Sequence, residues 1–155
     1  TIKDWVFDPD SANEVSTEYA SANAAKAFAK GDILMARSGE AIGKLALIGE
    51  GVEGICADFT MRIRVDAERL LPAFARYCLM SAYFQHLIYV HKKGLTNANI
   101  FPVQLQDFPM LDLPMRQQAA IVEELDGAIA SFDSTNARIE SLRSEMESRL
   151  ISALS

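Results

Sequence analysis

The 155 residues carry 15 lysines and arginines against 21 aspartates and glutamates, a formal net charge of −6, and half of them are hydrophobic. That length allows one compact domain plus an extended element, and no apolar run approaches the roughly 20 residues of a membrane span. Thr1 to Asp10 lacks the apolar core of a signal peptide, and Cys56 and Cys78 stand apart with no CxxC or Cys/His grouping, so two reduced thiols in a cytoplasmic protein without a metal site are expected.

Residues 1 to 15 read as irregular, and Ser16 or Thr17 is placed to cap a short alanine-rich helix running to Ala29. Gly31-Asp32 turns the chain into a strand over Ile33 to Arg37. A second apolar run, Leu45 to Ile48, is expected to pair with it across the glycine-bounded turn Ser38 to Lys44. Glycines 49, 51 and 54 mark the next loop. Phe59 to Val65 alternates with period two, apolar on one face and Thr60, Arg62, Arg64 on the other, the pattern of a half-buried strand.

Pro72 suits a first helical position, and Phe74, Tyr77, Cys78, Met80, Phe84, Leu87 and Ile88 predict one helix over Ala73 to Val90, ended by Lys92-Lys93-Gly94. Leu95 to Asn99 reads as a polar loop, Ile100 to Leu105 as a short strand or turn, and Phe108 to Leu113 as a strand stopped by Pro114. From Arg116 onward a heptad pattern sets in. Leu125, Phe132, Ile139, Met146 and Ala153 fall at a, Ile121, Ala128, Thr135, Leu142 and Arg149 at d, and Val122, Ile129 and Leu150 at e. A stripe that wide needs cover from another helix or a partner's surface, the alternative being a fold back onto its own domain. Thr135, Asn136 and Arg149 interrupt it, as residues that fix register do.

The expected fold class is therefore α+β: a small mixed domain over residues 1–114, then a long C-terminal coiled-coil helix over 115–155.

Catalytic patterns are absent from the sequence. Gly39 to Lys44 has three residues between its glycines where a Walker loop has four, and Leu45 stands where Ser or Thr would hold magnesium. Gly49 to Gly54 matches GxGxxG, but an alternating strand follows where a pyrophosphate needs a helix N-terminus. His86 and His91 are five apart and miss the i, i+4 spacing of HExxH. No catalytic residue, metal ligand or cofactor is assigned.

The charge is unevenly spread. Residues 116–155 hold seven acids and four bases, whereas Lys26 to Asn99 holds ten bases and seven acids. Within that basic stretch, Arg37, Ser38 and Lys44 combine cations, a hydroxyl and a tight turn in a way that suits phosphate. Lys92 and Lys93 add two more cations. Thr96, Asn97 and Asn99 bring the donor and acceptor pairs that read base edges. The same residues equally fit an ordinary hairpin turn and a solvated helix-capping loop.

Several segments carry a further likeness: Lys30-Gly-Asp-Ile-Leu-Met-Ala-Arg-Ser-Gly39 with Ile42-Gly43-Lys44 and Ala46-Leu47-Ile48; Gly94-Leu-Thr-Asn-Ala-Asn-Ile100; Leu105-Gln-Asp-Phe-Pro-Met-Leu-Asp-Leu-Pro114; Gln117-Gln118; and Ile121-Val-Glu-Glu-Leu-Asp126. In this order and spacing they resemble the specificity subunit of type I restriction-modification systems, over about residues 30 to 126. A single Pro114 stands where that family usually has two prolines. The resemblance implies a non-catalytic DNA-binding and scaffolding role for a target recognition domain with a spacer helix, here as a fragment or half-subunit. Its implied partners are double-stranded DNA, a modification (methyltransferase) subunit, a restriction (translocase/nuclease) subunit and a second copy of the chain. Ile121, Leu125, Ile129, Phe132, Ile139, Leu142, Met146 and Leu150 are the expected helix interface.

Overall fold

The computed structural model describes residues 2–3, 5–94 and 98–153 and shows an α+β fold with small sheets and a long C-terminal helix. Two compact units, Thr1–Gln118 and Ala119–Ser155, divide the chain.

At the centre of the first unit, β4 (Ile33–Ala36) lies between β5 (Leu45–Leu47) and β7 (Thr60–Ile63), antiparallel to both. Ile33 faces Leu47 across one ladder and Ile63 across the other. The expected hairpin and the alternating strand are both present, though each is shorter than the apolar run that suggested it. The continuous apolar character of β4 follows from burial on both faces. Ile33 and Met35 pack with Leu45, Met61, Leu79, Phe84 and Ile88, while Leu34 joins Phe28, Ile48 and Cys56 on the opposite side.

The amino-terminal region is more ordered than the sequence suggested. β1 (Ile2–Lys3) pairs with β2 (Val6–Phe7), and β3 (Ala27–Phe28) pairs with β6 (Gly54–Ile55). The alanine-rich helix is capped by Ser16 as expected, its hydroxyl accepting from the Tyr19 N–H at 3.2 Å. It stops early, however, so that α1 spans only Thr17–Ala22. A 3-10 turn follows, and Ala27-Phe28 leaves the helical pattern because the Phe28 ring is buried in the smaller core.

The helix expected over Ala73 to Val90 is broken in two. α2 (Pro72–Met80), with Pro72 in its first turn, ends at Ser81, whose backbone is extended, and α3 (Ala82–His91) begins there. The Ser81 hydroxyl donates to the Cys78 carbonyl at 2.6 Å and accepts from the Phe84 N–H at 3.3 Å. One serine closes the first helix and caps the second, a local signal that helical periodicity conceals.

Two further expectations are corrected. Instead of a strand or turn, Ile100 to Leu105 runs into α4 (Pro102–Gln106), where Pro102 supplies the preset φ of a first helical residue. Phe108 to Leu113 forms no strand, because Pro109 lacks the N–H that a ladder requires. Phe108 instead buries its ring edge-on against Phe84, 5.3 Å between centroids.

α5 (Met115–Ala153) is 39 residues long, about 58 Å at 1.5 Å per residue. Its first turn is held inside the first unit by Gln118, which is wholly buried and satisfied at both ends of its amide. Gln118 Oε1 accepts from the Leu71 N–H at 2.8 Å, and Nε2 donates to the carbonyls of Arg69 (2.9 Å) and Leu113 (2.8 Å). Beyond that turn, Ile121 is half-buried, and Leu125, Ile129, Phe132, Ile139, Leu142 and Met146 are exposed, Phe132 by 65%. The Leu150 side chain lies outside the described residues. Among the described residues, no helix is long and apolar enough to cross a membrane.

Asp32, just before β4, is the buried carboxylate among the described residues. Its oxygens accept from Arg64 Nε and Nη2, both at 2.7 Å, and from the Ala29 N–H at 3.0 Å. The Arg64 hydrogen bonds hold the carboxyl below its ordinary pKa against the opposing effect of burial. A carboxylate with a depressed folded pKa stabilises fully above its unfolded value near 4, and that contribution disappears as pH falls through the folded value. Asp32→Asn is therefore expected to cost about 1–2 kcal/mol at neutral pH, the value kept low because Arg64 is largely exposed. It should also flatten the acid limb of stability below about pH 4; an acid limb unchanged in urea melts of the variant would contradict this.

Candidate nucleic-acid interface

The two polar loops picked out in the sequence meet in space. After β4 the chain continues so that the Arg37 carbonyl accepts from the Ile100 N–H at 2.9 Å, and the Gly39 N–H donates to the Ala98 carbonyl at 3.3 Å. Asn99 forms antiparallel bridges with both Ser38 and Lys93, exchanging backbone hydrogen bonds of 2.8 Å with Lys93. The Arg37 N–H, in turn, donates to the Phe59 carbonyl at 2.9 Å. Segments about 60 residues apart thus form one backbone seam that prolongs the central strand β4.

The turn from Gly39 to Lys44 is fastened from the side by α3. Gln85 Nε2 donates to the Gly43 carbonyl at 3.1 Å and to the Leu79 carbonyl at 2.8 Å, a reach that the break at Ser81 allows. Gly43 has φ of +84°, and a Cβ there would stand 2.8 Å from Gln85 Oε1 and 3.2 Å from Ile88 Cδ1. Glycine is needed for the backbone and for the space.

Arg37, Ser38, Lys93 and Asn99 are joined directly by this seam. Lys92 caps α3 beside Lys93 and carries its ammonium 4.5 Å from the Tyr89 ring centroid. Lys44 is exposed at the start of β5, its carbonyl accepting from the Ala36 N–H at 2.9 Å. Thr96 and Asn97 lie outside the described residues. The Arg37 guanidinium stands over Phe101, 5.6 Å from the ring centroid, and its Nε is the buried side-chain donor that has no partner among the described residues.

Ion pairing sorts the cations of the basic stretch. Lys26 pairs with Asp58, Lys30 with Glu50 and Arg64 with Asp32. Arg37, Lys44, Lys92 and Lys93 form no salt bridge among the described residues, although Arg37 helps to lower the pKa of Asp58 and Glu40 lies in the same turn as Lys44. Sequence reasoning missed Gln85, Phe101, Phe59 and Tyr89. The place of Phe101 just before Pro102 signals a helix entry, and nothing in the sequence marks any of the four for this site.

Alternative sites are poorer in chemistry. A cavity of about 260 Å³ beside β7 is lined mainly by Met61, Leu70, Leu79, Leu105 and Met110, and the arginines at its rim, Arg62 and Arg64, already bind the Ala27 carbonyl and Asp32. Cys56 and Cys78 are free thiols whose pKa values burial pushes up, the opposite of nucleophile activation. Among the described residues, no three His, Cys, Asp or Glu side chains gather as metal ligands would. A scan of protein-family models finds no match to this chain, and a comparison with curated proteins finds none significantly similar to it.

Gly43→Ala is expected to destabilise the protein by about 1–3 kcal/mol through backbone strain and the clash with α3. Gly39→Ala, at similar positive φ but with open space around it, should cost less. Equal melting temperatures for the two variants would show that α3 does not brace the turn.

Proposed function

We propose that this chain is a non-catalytic DNA sequence-recognition subunit of the type I restriction-modification kind, its head binding double-stranded DNA and its long helix joining it to partner subunits. The observation that carries the reading is the seam: Arg37, Ser38, Lys93 and Asn99, distant in sequence, are drawn together on a braced backbone. Arg37, Lys44, Lys92 and Lys93 supply charge for phosphates. Ser38 adds a hydroxyl, and Asn99, with Thr96 and Asn97 of the same loop, supplies the groups that read base edges.

The helix serves assembly. Its exposed stripe from Leu125 to Met146 gains on the order of 1 kcal/mol for each side chain that passes from half-exposed to buried. A coiled-coil homodimer formed through it presents two heads to a bipartite site, and the same helices dock methyltransferase subunits, to which the translocase/nuclease subunit is added. The net charge of −6 favours a second reading, an oligomerisation module of the same family that does not bind DNA by itself.

Titrating salt against a random-sequence duplex separates the readings. Lys92→Ala with Lys93→Ala should weaken binding to all sequences and reduce the salt slope by about 2, roughly 0.9 for each lost phosphate contact. No shift by the wild-type chain, alone or with a methyltransferase subunit, would favour the second reading. For the helix, Phe132→Asp should convert a dimer into a monomer in sedimentation runs without altering the head's melting; a wild-type monomer at high concentration would refute dimerisation.

A further inference from the structure

Two aromatic rings stand beside cations of the candidate interface, Phe101 beside Arg37 and Tyr89 beside Lys92. Phe101 follows the Ile100 that bonds to Arg37, and its ring is 39% exposed under the guanidinium. Tyr89, on the last turns of α3, is 67% exposed under the Lys92 ammonium. Phe59, whose carbonyl receives the Arg37 N–H, is exposed as well. Single exposed rings are common on protein surfaces, yet Phe101 and Tyr89 each lie against a cation that forms no salt bridge among the described residues.

A fully paired duplex offers such rings little, because its base faces are stacked on one another and its phosphates seek only the charges. Single-stranded or locally opened nucleic acid offers both phosphates and bare base faces, and cations interleaved with aromatic plates are the surface that takes it. We infer that the seam binds nucleic acid with at least one base out of the stack, Phe101 and Tyr89 receiving base faces while Arg37 and Lys92 hold the adjoining phosphates. The inference rests on the nucleic-acid reading above and refines it by naming the form of the ligand.

Phe101 is suited to a clean substitution. Its part in starting α4 is made by its backbone N–H, which donates to Gln104 Oε1 at 3.0 Å, so a leucine keeps that bond. The probe is a short DNA duplex with 2-aminopurine in a single-nucleotide bulge, alongside its fully paired counterpart, each titrated with the full-length chain. The wild type should bind the bulged DNA more tightly and quench the probe as the base stacks. Phe101→Leu should lose about 5- to 20-fold in affinity for the bulged DNA, together with the quench, while its affinity for the paired duplex changes less than about twofold. Tyr89→Leu, on an exposed helix surface, is the second variant should Phe101→Leu fold poorly, with the same expected pattern. Wild-type-like affinity and quench in both variants would overturn the stacking role and leave the DNA reading standing. Failure of the wild type to bind either DNA would sink both.

Discussion

The hydrogen bond from the Ile100 N–H to the Arg37 carbonyl, with its neighbours at Gly39 and Asn99, is the constraint on which the head depends. A loop leaving β4 and a loop leaving α3 each carry backbone groups that need partners once Ile100 is buried between them. They satisfy one another. Ile100 then seals the larger core, α4 starts immediately after it, and Arg37 and Lys93 are carried on the segments that this ladder joins. A surface rich in unpaired charge would repel itself if it were merely collected. Here the main chain, not the side chains, supplies the attraction that holds it together.

The burden on α3 follows from the same arrangement. Its outer face displays Tyr89 and ends in Lys92, its inner face packs Phe84 and Ile88 into the core, and Gln85 reaches sideways to the turn before β5. A single straight helix from Pro72 to His91 would satisfy the hydrophobic pattern. The break at Ser81 is what lets Gln85 bond the Leu79 carbonyl at the end of α2 as well as Gly43.

Much of this was legible in the sequence wherever one residue type in one local pattern decides the outcome. The period-two run ending at Val65, the apolar β4 and β5 across their glycine turn, the Ser16 cap and the start of α2 at Pro72 are of that kind. What escaped depends on distant neighbours. Ala27-Phe28 becomes a strand only because Gly54-Ile55 lies beside it, and the serine that divides α2 from α3 is hidden by apolar spacing that continues across it. Phe108 to Leu113 is no strand because Pro109, near its start, lacks the N–H that a ladder needs. Each of the two polar loops offers candidate DNA-binding residues by itself, but nothing in either announces that the two are hydrogen-bonded or that Phe101 and Tyr89 flank them. Arg64 is the reverse case: it looks like a surface cation of an alternating strand, and its charge is spent on Asp32.

The buried amide of Gln118 has a consequence for how the protein responds to its medium. Its three hydrogen bonds to Leu71, Arg69 and Leu113 involve no ionisable group, so neither protons nor dissolved ions bear on them directly. The cations of the seam are exposed to both influences. Ionic strength therefore acts on the exposed cations of the seam while the hydrogen bonds that hold the root of the long helix are left as they are.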